Sequence, residues 1–433
     1  MKLIIIFILF IFNANVVSAS EFLIYLENAY KNNPNLNAER ENYKAVKENI
    51  NISISEFLPR VSILGSQSSE QNSDRTNQDG GAIPNTSNTS DTKSITIDQK
   101  IFQGFQGYNS VKKSKLESDQ AALKLKSTEQ QILLKSATAY YDLIYKIKNT
   151  QFNLVNVDLF ERQVETDSSR LQKGEITLTD LAQSESSLAG ANAKFIAAES
   201  ELLTSKSNFE RVIRLPAPEK LTKNNLIKKI TLNLPTNLNT ALSFSKKNNP
   251  KLLLAEIDYE ISKKNVYIEK AKFSPSASIN YKQSQSKDLS SSIDERDQEL
   301  IKATVTIPLF NGGKNYSSLK KAKFKKKENS LILQDTVNEV KTDTVNSWSA
   351  YQSSESVLKA TQAQVKAAEI ANEGITLEYD TGNTRTTLEV IQSRTLLLDA
   401  RISNAIAERN FFISKFDLLA VIGELTLENL KKT

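Results

Sequence analysis

From Leu181 to Val212 the apolar and small residues recur alternately three and four positions apart, through Ser184, Leu188, Ala191, Phe195, Ala198, Leu202, Ser205 and Phe209. The same spacing returns 209 positions later as Val390, Ser393, Leu397, Ala400, Asn404, Ala407, Phe411, Ser414, Leu418 and Val421. A three-four alternation sustained over several heptads predicts a coiled-coil seam, and the small residues in it let the helices pack closely. Upstream of each seam, 104–173 and 312–381 contain no proline and almost no glycine. At 1.5 Å per residue, about 70 residues of helix would reach roughly 105 Å. A helix with so narrow an apolar stripe does not bury a globular core, but it suits a wall of helices with water on both sides.

Elsewhere the period drops to two, which predicts half-buried strands. In Ser276 to Lys282, Ala277, Ile279 and Tyr281 face one way. In Ile301 to Ile307, Ile301, Ala303, Val305 and Ile307 face out while Lys302, Thr304 and Thr306 face in. Val61 and Ile63, then Ile95, Ile97 and Ile101 against Thr96, Asp98 and Lys100, repeat the pattern earlier in the chain. The segments Ser66 to Thr92 and Gln283 to Gln298, rich in Ser, Asn, Asp, Gln and Thr, read as long polar loops within the two hairpins.

The chain states this plan twice. Asn32-Asn33-Pro34-Asn35-Leu36 and Phe57-Leu58-Pro59 return as Asn248-Asn249-Pro250-Lys251-Leu252 and Phe273-Ser274-Pro275, both 216 residues on. Ile101-Phe102-Gln103-Gly104 returns as Leu309-Phe310-Asn311-Gly312, 208 residues on. So long a period is a tandem duplication rather than a solenoid array. The first repeat is expected over 20–213, with a helix, a β-hairpin at 60–103 and long helices at 104–173 and 179–213. A linker covers 214–239. The second repeat covers 240–423, with a hairpin at 275–310 and helices at 312–381 and 386–422, followed by a tail at 424–433.

Compartment decides between two readings of the strands, a soluble sheet with one wet face and a transmembrane barrel wall. Lys2, the apolar run Leu3 to Phe12 and Val17-Ser18-Ala19 predict a secretory signal over residues 1–19. An exported chain whose strands have no other core to cover favours the barrel, whose strands place apolar side chains towards lipid and polar ones towards a lumen. Four strands cannot enclose a lumen, so several chains would share one barrel.

Composition then narrows the chemistry. The chain has no cysteine and no histidine. Disulfides, thiolate or imidazole metal sites and His-based catalytic triads are therefore excluded. Neither an enzyme nor a cofactor is expected. The net charge of +6 comes with both signs interspersed, so nucleic acid is not an expected partner.

With these elements in order, the chain resembles the TolC-like outer-membrane efflux proteins over essentially all of its mature length. The Asn-Pro starts, the Phe-Leu-Pro and Phe-Ser-Pro strand entries and Pro308-Leu309-Phe310-Asn311-Gly312-Gly313 carry the likeness. So do Ala137-Thr138-Ala139-Tyr140-Tyr141 and the tip Tyr379-Asp380-Thr381-Gly382-Asn383-Thr384-Arg385-Thr386. The resemblance implies an α+β membrane protein. Its trimeric 12-stranded transmembrane β-barrel, four strands per chain, would continue into a long periplasmic α-helical barrel of coiled-coil helices. It implies a homotrimer that docks a periplasmic adaptor and an inner-membrane transporter and passively exports drugs, toxins or proteins. It also implies a gate at the helix tips, where Arg385 bonds Asp180 and Thr179 and Tyr379 bonds Gln163. Glu389 falls on an acidic ring of the constriction, whereas Gln392 stands where a second acid is usual. Gly174 and Gly382 mark the tip turns for adaptor docking. The lysines at 320, 321, 323, 325, 326 and 327, echoed by Lys112, Lys113 and Lys115, point to outer-membrane lipid as a further partner. The main rival reading is an exported coiled-coil adhesin without channel activity. A periplasmic adaptor is a second rival, but no lipoyl-like β-domain is visible.

Overall fold

The computed structural model of the chain describes residues 21–218, 232–290, 293–381 and 385–431. The expected signal segment, the centre of the inter-repeat linker and Gly382 lie outside them. The described residues fall into two compact units, each drawing on both repeats. One takes residues up to 37, 128–245 and 343 onward; the other takes 38–127 and 246–342. The units therefore cut across the duplication instead of following it.

The second unit holds the sheet. Strands β1 (Arg60–Asn72), β4 (Thr86–Gln103), β5 (Ser276–Ser290) and β6 (Ile293–Thr306) pair antiparallel in the order β1-β4-β5-β6. A short ribbon, β2 (Arg75–Thr76) with β3 (Ala82–Ile83), crosses the tip of the first hairpin. The segments expected as loops are mostly strand, because the backbone ladder continues unbroken through the Ser and Thr residues to Asn72↔Thr86 and Lys287↔Glu295. Main-chain pairing does not require the apolar side chains by which the strands were recognised.

Register sorts the side chains onto two faces. Val61, Ile97, Tyr281 and Ile301 stand in one cross-strand row, and Ile279 with Ala303 and Ala277 with Val305 lie on the same face. Between Lys100 and Phe102 the register shifts, leaving Ile101 as the extra residue of a bulge. Phe102 rather than Ile101 therefore sits opposite Ala277, as one inserted residue inverts the alternation. The other face carries Arg60, Asp98, Asn280 and Lys302 in a row, with Asn280 Nδ2 donating to Asp98 Oδ1 at 2.6 Å. At the foot of β4, Gly104 has φ +58°, and a Cβ there would stand 2.4 Å from that of Ser274. This turn from strand into helix accepts only glycine without rearrangement.

The helices are α1 (Glu21–Asn32), α2 (Pro34–Ile54), α3 (Gln106–Gln172), α4 (Leu178–Ile213), α5 (Leu238–Asn248), α6 (Pro250–Ala271), α7 (Lys314–Asp380), α8 (Thr387–Val421) and α9 (Leu427–Lys431). The repeated Asn-Pro motif starts α6 in both senses. Asn249 Oδ1 accepts from the amides of Lys251 and Leu252 at 2.9 and 3.2 Å, and Pro250 occupies the first turn, where its missing N–H costs nothing. Asn33 does the same for Asn35 and Leu36. No described helix is long and apolar enough to cross a membrane.

In the first unit every seam position of α4 and α8 is buried or half-buried. The helix α8 buries a second face as well, through Ile391, Leu398, Ala405, Phe416 and Leu419. A globular core forms here after all. Phe22, Leu26, Leu133, Leu143, Phe209, Ile213, Ala241, Phe416, Leu418 and Ile422 are joined by Leu425 and Leu430. Leu215, Leu232 and Leu234, at the two ends of the linker, pack against it. The short α1, α5 and α9 supply the apolar surface that the narrow seam alone does not.

Candidate functional site

The tip of the first unit brings α3, α4, α7 and α8 together around one buried carboxylate. Asp167 is fully buried, as is Ser184, and Gln163, Tyr379 and Thr387 are each at most 4% exposed. Asp167 Oδ1 accepts from Tyr379 Oη at 2.7 Å and from Gln163 Nε2 at 3.0 Å, while Oδ2 accepts from Ser184 Oγ at 2.5 Å. Thr387 Oγ1 lies 3.1 Å from Tyr379 Oη and donates to it, because the phenolic proton is already committed to Asp167. A buried carboxyl group is tolerated only when it is hydrogen-bonded, and here three donors reach its two oxygens. Burial raises the Tyr379 pKa, and the bond to Asp167 raises it further, so the phenol remains a donor. The Arg170 guanidinium sits over the Tyr379 ring, 4.6 Å from its centroid. Arg394 adds a separate tie, donating to the Leu159 carbonyl at 3.0 Å.

The expected site residues distribute unevenly around this centre. Gln163 Nε2 comes within 3.4 Å of Tyr379 Oη, although both bond more closely to Asp167. Arg385 is not brought to Asp180 or Thr179 within the chain. Its Nε donates to Glu378 at 2.6 Å and its Nη1 to Glu389 at 2.9 Å, and these two carboxylates raise its pKa. Asp180 instead closes a capping box at the start of α4, accepting from the Thr177 amide at 2.9 Å and from its hydroxyl at 2.7 Å. Glu389 closes the matching box on Thr386 at the start of α8. The Thr177 amide and hydroxyl hold the Asp180 pKa down, and the Thr386 amide, then Arg385, do so for Glu389. Both acids are thus occupied first by their own helix N-termini. Thr179 and Gln392 are exposed. Gly174 turns α3 back with φ +76°, and the Glu175 amide returns to the Arg170 carbonyl at 2.9 Å.

Sequence reasoning missed Asp167 and both capping boxes, and each had a signal. Asp167 continues the buried stripe Val157, Phe160, Gln163 of α3 at helical spacing, where a carboxylate demands partners. Thr177-x-x-Asp180 and Thr386-x-x-Glu389 have the capping-box spacing. Among the described residues no cluster of acids could hold a metal ion.

Comparison with known proteins names the architecture. The model of the outer membrane efflux protein family matches residues 25–213 and 241–424, one block per repeat. The chain belongs to the outer membrane efflux protein family. It is 25% identical to outer membrane efflux protein BepC of Brucella suis over 407 residues, covering 94% of this chain and 86% of that protein. It is 21% identical to outer membrane protein TolC of Escherichia coli over 430 residues, covering 96% and 85%. Its fold matches the Campylobacter jejuni CmeC outer membrane channel with a TM-score of 0.81 at 14% identity, over 95% and 89% of the two chains. Like the rest of this family, the protein is an outer-membrane efflux channel component, located in the outer membrane and extending into the periplasm.

Proposed function

We propose that three copies of this efflux protein form the outer-membrane conduit of a tripartite export system. In that assembly an inner-membrane transporter and a periplasmic adaptor deliver drugs, toxins or proteins to a twelve-stranded barrel through a tunnel of helices. The observation that carries the reading is the four-stranded sheet. One face is apolar and open, with Ile63, Ile301, Val305 and Ile307 each at least 60% exposed. The strands β1 and β6 are edges with no partner strand among the described residues. Hydrocarbon tolerates no open sheet edge, so each edge needs another copy. The polar row on the opposite face would then line a wet lumen.

The gate belongs at the helix tips. Asp167, Tyr379 and Gln163 hold the helices of one chain together there. Arg385, Asp180 and Thr179 are assigned to contacts between neighbouring copies, because Asp180 has no bond to Arg385 within its own chain and 38% of the Arg385 side chain is exposed. Glu389 and Gln392 follow on α8 towards the constriction, and the turns at Gly174 and Gly382 would meet the adaptor. An Arg–carboxylate fork is a directional tie, stronger than a neutral hydrogen bond. In planar bilayers the purified protein should form narrow channels, and Arg385→Ser should raise their single-channel conductance. Unchanged conductance in the variant would remove Arg385 from the gate, and the absence of any channel would sink the conduit reading.

A further inference from the structure

Beyond the sheet, the start of α7 carries a concentration of positive charge that the chain itself leaves almost uncompensated. Lys314, Lys320, Lys321, Lys323, Lys325, Lys326 and Lys327 fall within its first 14 residues. Lys325 pairs with Glu328 at 2.8 Å, but Lys321, Lys323, Lys326 and Lys327 make no ion pair with any described residue. Two of the three corresponding lysines in the first repeat are occupied, whereas Lys320 reaches only the Phe324 ring, 5.8 Å from its Nζ. Lys112 lies over the Tyr108 ring at 4.4 Å, and Lys113 pairs with Glu117 at 3.3 Å. Lys320 with Lys323, Lys321 with Lys325, and Lys323 with Lys326 and Lys327 stand three or four residues apart, where like charges repel, so this run costs stability unless an external anion compensates it.

What lies beside the run indicates the anion. Ile307 follows directly on β6 and continues its apolar alternation, and Leu309 and Phe310 come after it at 93% and 87% exposure. Tyr316 and Phe324, 67% and 65% exposed, are interleaved with the lysines. Exposed aromatic rings beside lysines at the end of an apolar band are the composition of a membrane–water interface. The headgroup layer is about 5–7 Å deep on each side of the hydrocarbon. Lys320 and Lys321 stand roughly 9–11 Å along the axis from the start of the helix, within reach of that layer once their side chains extend. Lys325 to Lys327 lie lower, within about two Debye lengths of the surface, and add to the field.

We propose that Lys320, Lys321 and Lys323, with the exposed Phe310, Tyr316 and Phe324 beside them, bind the phosphates of anionic lipid headgroups in the periplasmic leaflet. The proposal rests on the reading that the apolar face of the sheet meets lipid. Each lysine near an anionic surface adds roughly fivefold to affinity, so three should enrich anionic lipid well above its bulk fraction. The test reconstitutes the full chain in phosphatidylethanolamine vesicles containing phosphatidylglycerol, excises it with its surrounding lipid in a styrene–maleic acid polymer, and measures the ratio of the two lipids. The wild type should carry excess phosphatidylglycerol. Lys320→Gln/Lys321→Gln/Lys323→Gln should lose that excess, and the corresponding triple arginine variant should keep it. Equal ratios in the wild type and the glutamine variant would overturn the proposal, as would loss of the excess in the arginine variant. A chain that never enters the bilayer would sink the lipid-facing reading and this proposal with it, whereas insertion without enrichment would sink this proposal alone.

Discussion

At the scale of single residues, the tip depends on Asp167 more than on the arginine that draws attention in the sequence. Its carboxylate accepts from residues on α3, α4 and α7, and Tyr379 extends the network to α8 through Thr387. Asp167→Asn keeps the shape but turns one acceptor oxygen into a donor facing other donors. Leaving such buried groups unsatisfied costs about 1–3 kcal/mol. Hydrogen exchange around Gln163, Ser184 and Tyr379 should therefore speed up by roughly tenfold to a hundredfold; unchanged protection would show that the network is idle. The capping acids respond to pH in one direction. Their pKa values are lowered in the folded chain, so their contribution is complete above the ordinary carboxylate range and is lost as pH falls through it. The first turns of α4 and α8 should lose protection below about pH 4, after correction for intrinsic exchange rates. Tyr379, with a raised pKa, behaves oppositely: its contribution is intact at neutral pH and lost only above about pH 10. Arg385 could be singled out from the divergence of the two repeats, but its partners could not, since Glu378 and Glu389 lie within one turn of the tip and compete with any distant acid.

At the scale of elements, periodicity was informative wherever one face alone is buried. The seam positions of α4 and α8 were legible one by one because each keeps the three-four spacing of one continuous helix face. The proline-free stretches read equally well, as α3 and α7. Legibility failed where the backbone rather than the side chains sets the structure. The strands run on through Ser66 to Asn72 and Thr86 to Thr92, where no apolar alternation marks them. The bulge at Ile101 depends on pairing with β5, about 180 residues away in sequence, which no local pattern reports. The second buried face of α8 was hidden for a similar reason, since Ile391 clusters with Val157 and Phe160 of α3 and Phe416 packs on Phe22 of α1 and Tyr141 of α3, all far away in sequence. The sheet carries its own prediction. Lysine at Ile301 or Val305 on the apolar face should cost about 2–4 kcal/mol of folding stability in vesicles if these positions lie near the bilayer midplane. Lys302→Gln on the polar face should change little. Urea titrations of folding into vesicles compare the three, and equal effects would contradict a lipid-facing side.

At the scale of the whole molecule, the duplication gives each chain two hairpins in one sheet and two pairs of long helices. The chain still leaves the outer edges of β1 and β6 without a partner strand and an apolar face uncovered among its described residues. Both features are faults in an isolated soluble protein and requirements in a shared barrel. The central claim is therefore that β1 of one copy pairs with β6 of the next until three copies close. The chain contains no cysteine, so introduced pairs report without background. With Ser62→Cys on β1 and Thr304→Cys on β6, a bis-maleimide spanning roughly 10 Å tolerates several residues of register uncertainty. Applied to the protein in outer membranes, it should give covalent species of two and three chains and none larger. A sample that remains monomeric, or a ladder that continues beyond three, would contradict the account.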